Sequence, residues 1–274
     1  MFEEHWHLKE KPFENTPDTH FMFYSQQHDE ALSRLLYVVE NRKGLGLLTG
    51  VFGCGKTLLI RALMAKLNHN IYQAAIISNP YLKLVEFLRA IARQLGAENL
   101  PEKLTDMSVD YFLQLIEEIL RNNEKDGKHT IVIIDEAHVI TENDVFEELR
   151  LLLNFQSEKG LLVTLILSGQ QELLERIKKN KQLSQRIALG YNLKALNEDE
   201  TSKYIEWRLK IAGAEKQIFS QDALKEIFVN SAGIPRRINQ LCDMSLVASL
   251  QSDVVNIDSG IVHEAVRTMD YTNI

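Results

Sequence analysis

Two short stretches of the chain hold residue types whose spacing could do chemistry. GVFGCGKT (50–57) fits the pattern G-x-x-x-x-G-K-[S/T] without a gap. Glycines spaced in this way let successive backbone N–H groups turn inward around phosphate oxygens. A helix opening at the end of the stretch adds positive potential. In that geometry Lys56 contacts the β- and γ-phosphates of ATP and the Thr57 hydroxyl ligates Mg²⁺. Gly50, Phe52, Gly53, Cys54, Gly55 and Leu58 complete the expected nucleotide-binding stretch. The second stretch, IVIIDEAH (131–138), runs four aliphatic residues into two adjacent carboxylates. A carboxylate at the end of a buried strand can hold a metal through its water shell, the role expected of Asp135. Glu136 beside it is placed to polarise an attacking water. His138 stays open between a structural histidine and a coupling role.

These residues need elements that position them. LGLLTG (45–50) is a short apolar run ending at the first glycine of the loop, and TLLIRALMAKL (57–67) follows with helical spacing. IYQAAIIS (71–78), TIVIID (130–135), LLVTLILSG (161–169) and IALGYNLK (187–194) read as further strands. Helical patterns at 81–95, 109–123 and 144–155 lie between them. Short continuous apolar strands alternating with helices predict an α/β fold, a parallel sheet flanked by helices. From about residue 197 only helices are expected. Asn197 and Glu200 have the capping-box spacing, Ser220 can cap DALKEIFVNSAG, and Gly233 is placed to stop that helix. The expected division is an N-terminal segment at 1–40 packing on the core, a nucleotide-binding α/β domain at 41–195 and an all-α lid domain at 196–274.

Composition narrows the setting. The 274 residues carry a formal charge of −7, which argues against a wholesale nucleic-acid coat. Two cysteines, Cys54 and Cys242, lack metal-like spacing and fit a reducing compartment. No apolar run is long enough for a membrane span, and MFEEHWHLKEKPF (1–13) lacks the apolar centre of a signal peptide. A cytoplasmic protein is expected, with peripheral docking at the inner membrane as the extension of that reading.

The letters DEAH also occur in a helicase class built of two tandem motor domains. The stretch after 195 reads as a helical lid, leaving no room for a second motor among these residues. The two motifs with a lid instead resemble the AAA+ ATPases, and that resemblance implies three further polar positions. A residue sensing the γ-phosphate falls on Gln170 in LILSGQQEL (165–173), with Ser168 as second choice. An arginine offered to the next subunit's nucleotide falls on Arg186 in LSQRIAL (183–189), with Arg176 as the weaker candidate. A lid arginine reaching back to the phosphates falls on Arg236 in GIPRRIN (233–239). An arginine acting on a neighbour's site requires a homo-oligomer, a ring or a filament.

Six segments make the resemblance more specific: KPFENTPD (11–18), YSQQHDEAL (24–32), the phosphate loop, DEAH (135–138), GQQEL (169–173) and GIPRRIN. Together they are similar to the general secretion pathway protein A (ExeA-like) ATPases and span nearly the whole chain. The resemblance implies an ATPase that powers assembly or remodelling of a cell-envelope complex of the secretion or pilus type, with a protein of that complex as partner. In three respects the chain departs from the family. Cys54 replaces the usual Thr or Ser, which is expected to keep phosphate binding but expose the site to thiol reagents. GQQEL replaces G-Q-P-E-L and leaves Gln170 intact. Members of the secretion type commonly continue into a membrane-spanning segment and a peptidoglycan-binding domain, neither of which is read in these residues, so the envelope role is carried by analogy. The same core resembles the ATP-dependent target-selection ATPases of DNA transposition. That makes DNA the alternative partner, supported by the basic run RIKKNKQLSQR (176–186). The aromatic segment Phe13, Pro17, Phe21, Phe23 and Tyr24 is expected to pack on the nucleotide domain.

Overall fold

Strand and helix alternate because apolar runs of six or seven residues are separated by amphipathic stretches. In chain order the elements are α1 (Phe2–His5), α2 (Gln26–Glu40), β1 (Leu45–Gly50), α3 (Lys56–Lys66), β2 (Tyr72–Ile77), α4 (Leu84–Gln94), α5 (Val109–Lys125), β3 (His129–Ile134), α6 (Asn143–Leu152), β4 (Gln156–Ser157), β5 (Gly160–Leu161), β6 (Val163–Gly169), α7 (Gln171–Lys179), α8 (Lys181–Ser184) and β7 (Ile187–Leu193). Four helices follow: α9 (Glu198–Ile211), α10 (Gln221–Ser231), α11 (Pro235–Ser249) and α12 (Ser259–Thr272). The structure is a computed structural model and describes residues 2–98, 100, 108–250, 254 and 256–272. It divides into two compact units: His28–Val51 with Leu59–Leu193, and Met1–Gln27 with Phe52–Leu58 and Lys194–Ile274.

The first unit is built on a parallel sheet of order β2-β3-β6-β1-β7. β1, β3 and β6 are buried along their whole length, as strands covered on both faces must be, whereas edge strand β7 alternates between exposed and partly buried residues. Helix α4 buries Phe87, Leu88, Ile91 and Ala92, and α5 buries Phe112, Ile116 and Leu120, each set on one helical face. The register pairs Ile134 with Leu167 and Thr49 with Gly169. It therefore brings the C-terminal ends of β3, β6 and β1 side by side, where parallel sheets offer their crevices to ligands. Two expected boundaries move. The run 161–169 is split, because Gly160–Leu161 pairs antiparallel with Gln156–Ser157 before β6 starts at Val163. The helix read at 81–95 begins at Leu84, where Glu86 accepts from the Lys83 backbone N–H and closes the first turn.

In the second unit the helix starts follow their caps. Asn197 accepts from the Glu200 N–H at 2.9 Å while Glu200 accepts from the Asn197 N–H at 3.0 Å, and Ser220 accepts from the Ala223 N–H. Helix α10 ends one residue earlier than Gly233 suggests, since Ala232 already takes the left-handed conformation (φ 51°). Gly233 is needed for a different reason. Its carbonyl accepts from the Leu196 N–H at 2.8 Å, and at this close approach an added Cβ would clash with the Leu196 carbonyl oxygen.

The N-terminal segment corrects an expectation. Phe2, Leu8, Phe13 and Phe21 join Tyr204, Leu209, Phe219, Ile238 and Leu246 in the core of the helical unit, not that of the sheet. The reason is a buried cation, Arg208 of α9. Its Nε donates to the Pro12 carbonyl at 2.5 Å, its Nη2 to the Glu14 carbonyl at 3.0 Å and its Nη1 to the Tyr204 hydroxyl at 3.1 Å, and the guanidinium lies 4.6 Å from the Phe21 ring centre. Such a charge is tolerated inside only with its donors satisfied, and the Pro12 and Glu14 carbonyls do this together with the Tyr204 hydroxyl. Of the segment 1–40, then, residues 1–27 belong to the helical unit and only the rest of α2 to the sheet unit.

Candidate active site

In the sheet unit, the register explains the first contact of the site. One step beyond the pair Ile134–Leu167, Asp135 faces Ser168, and the Ser168 hydroxyl donates to Asp135 Oδ1 at 2.8 Å. The Glu136 N–H donates to the same oxygen at 3.0 Å, and the Asp135 N–H continues the β2 ladder to the Ile77 carbonyl. Ser168 is fully buried and its proton is committed to the carboxylate. That accounts for it without a phosphate and leaves Gln170 as the sensor candidate. Glu136 adopts a left-handed backbone, φ 52° and ψ 33°, a conformation that costs a non-glycine residue ~1 kcal/mol or more and collects at functional sites. Its Oε2 lies 3.2 Å from His138 Nδ1, and His138 Nε2 lies 3.0 Å from the Gln170 side-chain amide nitrogen. Gln170 leaves β6 as the N-cap of α7, between the ends of β3 and β1 in the sheet order.

Arg176 is held inward. One Nη donates to the carbonyls of His138 and Ile140, and the guanidinium lies 4.9 Å from the Phe146 ring centre. Burial lowers its pKa from the usual arginine value. Arg176 thus clamps the turn at Ala137–Val139, which does not suit the weaker candidacy for an arginine offered to a neighbour. Arg186 sits directly before β7, with Nη2 donating to Asn154 Oδ1 at 2.8 Å. β7 runs parallel to β1 with Leu193 beside Gly50. Arg186 therefore lies at the N-terminal edge of the sheet, about 20 Å of strand from the edge that carries Asp135 and Gln170.

In the helical unit, Gly53 and Gly55 have φ of +83° and +99°, the backbone that the phosphate-loop reading requires. Lys56 and Thr57 open α3, with Lys56 buried and Thr57 and Leu58 half-buried. Arg236 is the second residue of α11, after Pro235 at the helix start. Its N–H donates to the Gly53 carbonyl at 3.2 Å, and its guanidinium lies 4.9 Å from the ring centre of Phe52, which is itself more than half exposed. A Cβ on Gly53 would stand 2.8 Å from Arg236 Cβ. Asn15 fixes this helix start from the N-terminal segment, donating to the Arg236 carbonyl and accepting from Asn239 at 3.0 Å. Cys54 is fully buried, so the expected sensitivity to thiol reagents is not supported by its environment.

The family model described as an AAA domain matches residues 39–177, just over half of the chain. The chain belongs to the AAA-domain family. Within it, this AAA chain is 35% identical over 251 residues to General secretion pathway protein A of Aeromonas hydrophila, covering 91% of the chain and 45% of that protein. The ExeA-like resemblance read from the six segments therefore stands. An uncharacterized HTH-type transcriptional regulator of Methanocaldococcus jannaschii is 27% identical over 159 residues, covering 56% of this chain and 38% of the relative. The chain thus spans less than half the length of the curated relatives it matches. Among solved structures, the Aeropyrum pernix ORC2 protein in its ADPNP–ADP complexes aligns with a TM-score of 0.68 at 17% identity, covering 91% of this chain and 70% of that one. Drosophila ORC bound to DNA aligns with a TM-score of 0.69 at 18% identity, covering 95% and 64%. These likenesses establish the AAA fold, a parallel sheet with helices and a C-terminal helical region.

Three supports of the candidate residues were not legible as such: in the sheet unit the Ser168 anchor on Asp135 and the Arg176 clamp, and in the helical unit the Asn15 support under Arg236. A signal existed for Arg176. It falls three residues after Leu173 and one before Ile177, both buried, so helical spacing already places it on the inward face of α7. Asn15 had none, because its partners lie 221 and 224 residues away.

Proposed function

We propose that this chain binds ATP with Mg²⁺ and hydrolyses it as an oligomer, and that the cycle drives assembly or remodelling of a cell-envelope complex of the secretion or pilus type. The observation that carries the hydrolytic part is the strand-end cluster in which Asp135 is anchored by Ser168 while left-handed Glu136 is tied through His138 to Gln170. The oxygen and amide groups present fit the nucleotide and its metal: positive-φ glycines and a lysine at a helix start, a threonine hydroxyl, and a carboxylate already preorganised. By the sequence pattern, Gly50, Phe52, Gly53, Cys54, Gly55, Lys56, Thr57 and Leu58 would hold the phosphates, and Thr57 with Asp135 would hold the metal. When bound, Mg²⁺ supplies charge that neutralises the phosphate oxygens. Lys56 donates to the outer phosphates, Glu136 takes a proton from the attacking water, and the Gln170 amide donates to the γ-phosphate. Arg236 reaches the phosphates from the start of α11, exchanging its place over Phe52 for them.

Arg186 is proposed to act on the neighbouring subunit. Its position at the sheet edge away from the strand-end cluster supports action between copies rather than within one, and hence a ring or filament. The envelope role is supported by the 35% identity to a secretion pathway protein. Among the described residues no helix is long and apolar enough to cross a membrane, and the proposed location is the cytoplasm with docking at the inner membrane. A second reading, a DNA-bound assembly regulator, is favoured by one observation: Lys178, Lys179 and Lys181 are exposed on α7 and α8. Steady-state ATP turnover tests both. Glu136→Gln should retain ATP binding and lose about 100-fold or more in turnover, and unchanged turnover removes Glu136 from the mechanism. Strong, salt-sensitive stimulation by double-stranded DNA would replace the envelope reading by the second one.

A further inference from the structure

The geometry points to His138 as a positioning residue that locks the Gln170 amide and the Glu136 carboxylate into one hydrogen-bonded row. This inference rests on the ATPase reading above and gives the contact of His138 with Glu136 and Gln170 a specific task in it. The donors determine the arrangement. The Gln170 side-chain nitrogen, 3.0 Å from His138 Nε2, has only protons to give, so Nε2 must accept. The ring proton then resides on Nδ1, from which it is donated to Glu136 Oε2 at 3.2 Å. The Gln170 backbone N–H, 3.4 Å from Nδ1, is a donor that a protonated Nδ1 does not accept; the nearer carboxylate takes the ring proton and the backbone N–H stays outside the row.

Two consequences follow for the proposed chemistry. The Gln170 NH₂ group has a second proton, which stays available for a phosphate oxygen, and the imidazole prevents the amide from flipping to present its carbonyl oxygen there. The Nδ1–H bond fixes one carboxylate oxygen of Glu136 and leaves the orientation of the other defined for taking a proton from water. The ring is itself held. Arg176 binds the carbonyls of His138 and Ile140, fixing the turn from α7. Gly169 lets the ring lie against the end of β6, since a Cβ there would meet His138 N at 3.1 Å and Nδ1 at 3.3 Å. A histidine without such a task needs neither two polar partners on opposite sides of the ring nor a clamp on its own carbonyl.

The test uses the full chain, steady-state ATP turnover and thermal unfolding. His138→Ala should lower kcat about tenfold or more while leaving KM for ATP within about twofold, because the contact orients reacting groups and not the nucleotide as a whole. Asn can place an amide N–H close to the Nδ1 position, whereas Leu fills the space without a donor. His138→Asn should therefore exceed His138→Leu in kcat by about fivefold or more at comparable unfolding temperature. If His138→Ala does not fold, this pair decides alone. In combination with Gln170→Ala, His138→Ala should cost little beyond the worse single variant, since both break one row. Equal kcat for the Asn and Leu variants, or wild-type kcat for a folded His138→Ala, overturns the role. Glu136→Gln is assayed in parallel. Inactive Glu136→Gln beside fully active His138 variants ends only the positioning role, whereas active Glu136→Gln ends the hydrolytic reading beneath it.

Discussion

Acid should loosen the strand that carries Asp135, and His129 sets how much. This residue opens β3, is almost fully buried, and its Nε2 lies 2.8 Å from the Thr164 hydroxyl. The Thr164 proton is already donated to the Lys43 carbonyl at 2.8 Å, so the hydroxyl accepts from a neutral, Nε2-protonated imidazole. Burial, and secondarily the positive charge of Arg42, lowers the His129 pKa from 6.5 to about 4. Between these two values the unfolded chain binds a proton that the folded chain refuses. The contribution is therefore complete above about pH 6.5 and is lost as pH falls through 4. Two and a half units correspond to about 3 kcal/mol in total, of which ~2 kcal/mol is already gone at about pH 5. Urea unfolding of the wild type and of His129→Gln, at about pH 7.5 and about pH 5, isolates this site, because every other titrating group is shared. The stability lost between the two pH values should be smaller by ~2 kcal/mol in the variant, whatever its absolute stability. Losses that agree within about 0.5 kcal/mol would refute the reasoning.

The remaining predictions concern the site and its supports. Gly53→Ala, at φ +83° and 2.8 Å from Arg236 Cβ, should weaken ATP binding about tenfold or more in a fluorescent-nucleotide titration, and unchanged affinity would deny the close approach of α11 to the loop. Gly233→Ala should cost roughly 3 kcal/mol or more by chemical unfolding, since the added carbon meets the Leu196 carbonyl; a loss under about 1 kcal/mol would contradict that contact. Arg186→Ala and Lys56→Ala subunits should each be inactive alone and regain turnover when mixed, one lending its arginine and the other its intact loop. Silence of the mixture at all ratios would reject action between subunits. Arg176→Ala should lower stability by about 2–4 kcal/mol, measured by chemical unfolding, as the turn at Ala137–Val139 loses its clamp; a change below about 0.5 kcal/mol would show the turn holds without it.

Much of this was legible because it is written in local periods. The strands ending at Gly50, Ile134 and Gly169 are continuous apolar runs, polar Asp135 and Gln170 directly follow two of them, and parallel order brings their ends together. The caps at Asn197 and Ser220 are three-residue patterns and were readable as such. What escaped notice depends on pairings with no local trace. Pro12 and Arg208 are 196 residues apart, and nothing about KPFENTPD distinguishes a segment that covers helices from one that covers a sheet. Leu161, the last residue of the short hairpin Gln156–Leu161, reads as part of β6 because Leu161 and Leu162 extend its apolar run, and the rest of the hairpin has no apolar period of its own. The Ser168 contact leaves no trace either, because a hydroxyl at a strand end reads the same whether it faces a ligand or the carboxylate next door.

The helical unit is not a detachable module. Its core needs Phe13 and Phe21 as well as α9 to α12, and the loop 52–58 belongs to the same unit. A fragment cloned from residue 194 onward would leave the Arg208 guanidinium without the Pro12 and Glu14 carbonyls and without its Phe21 face. A fusion tag that disturbs the first dozen residues would act on that core as directly as a substitution inside it. For anyone expressing pieces of this protein, the useful cut is not at the apparent domain border, because the helical region is closed by the opening residues of the chain.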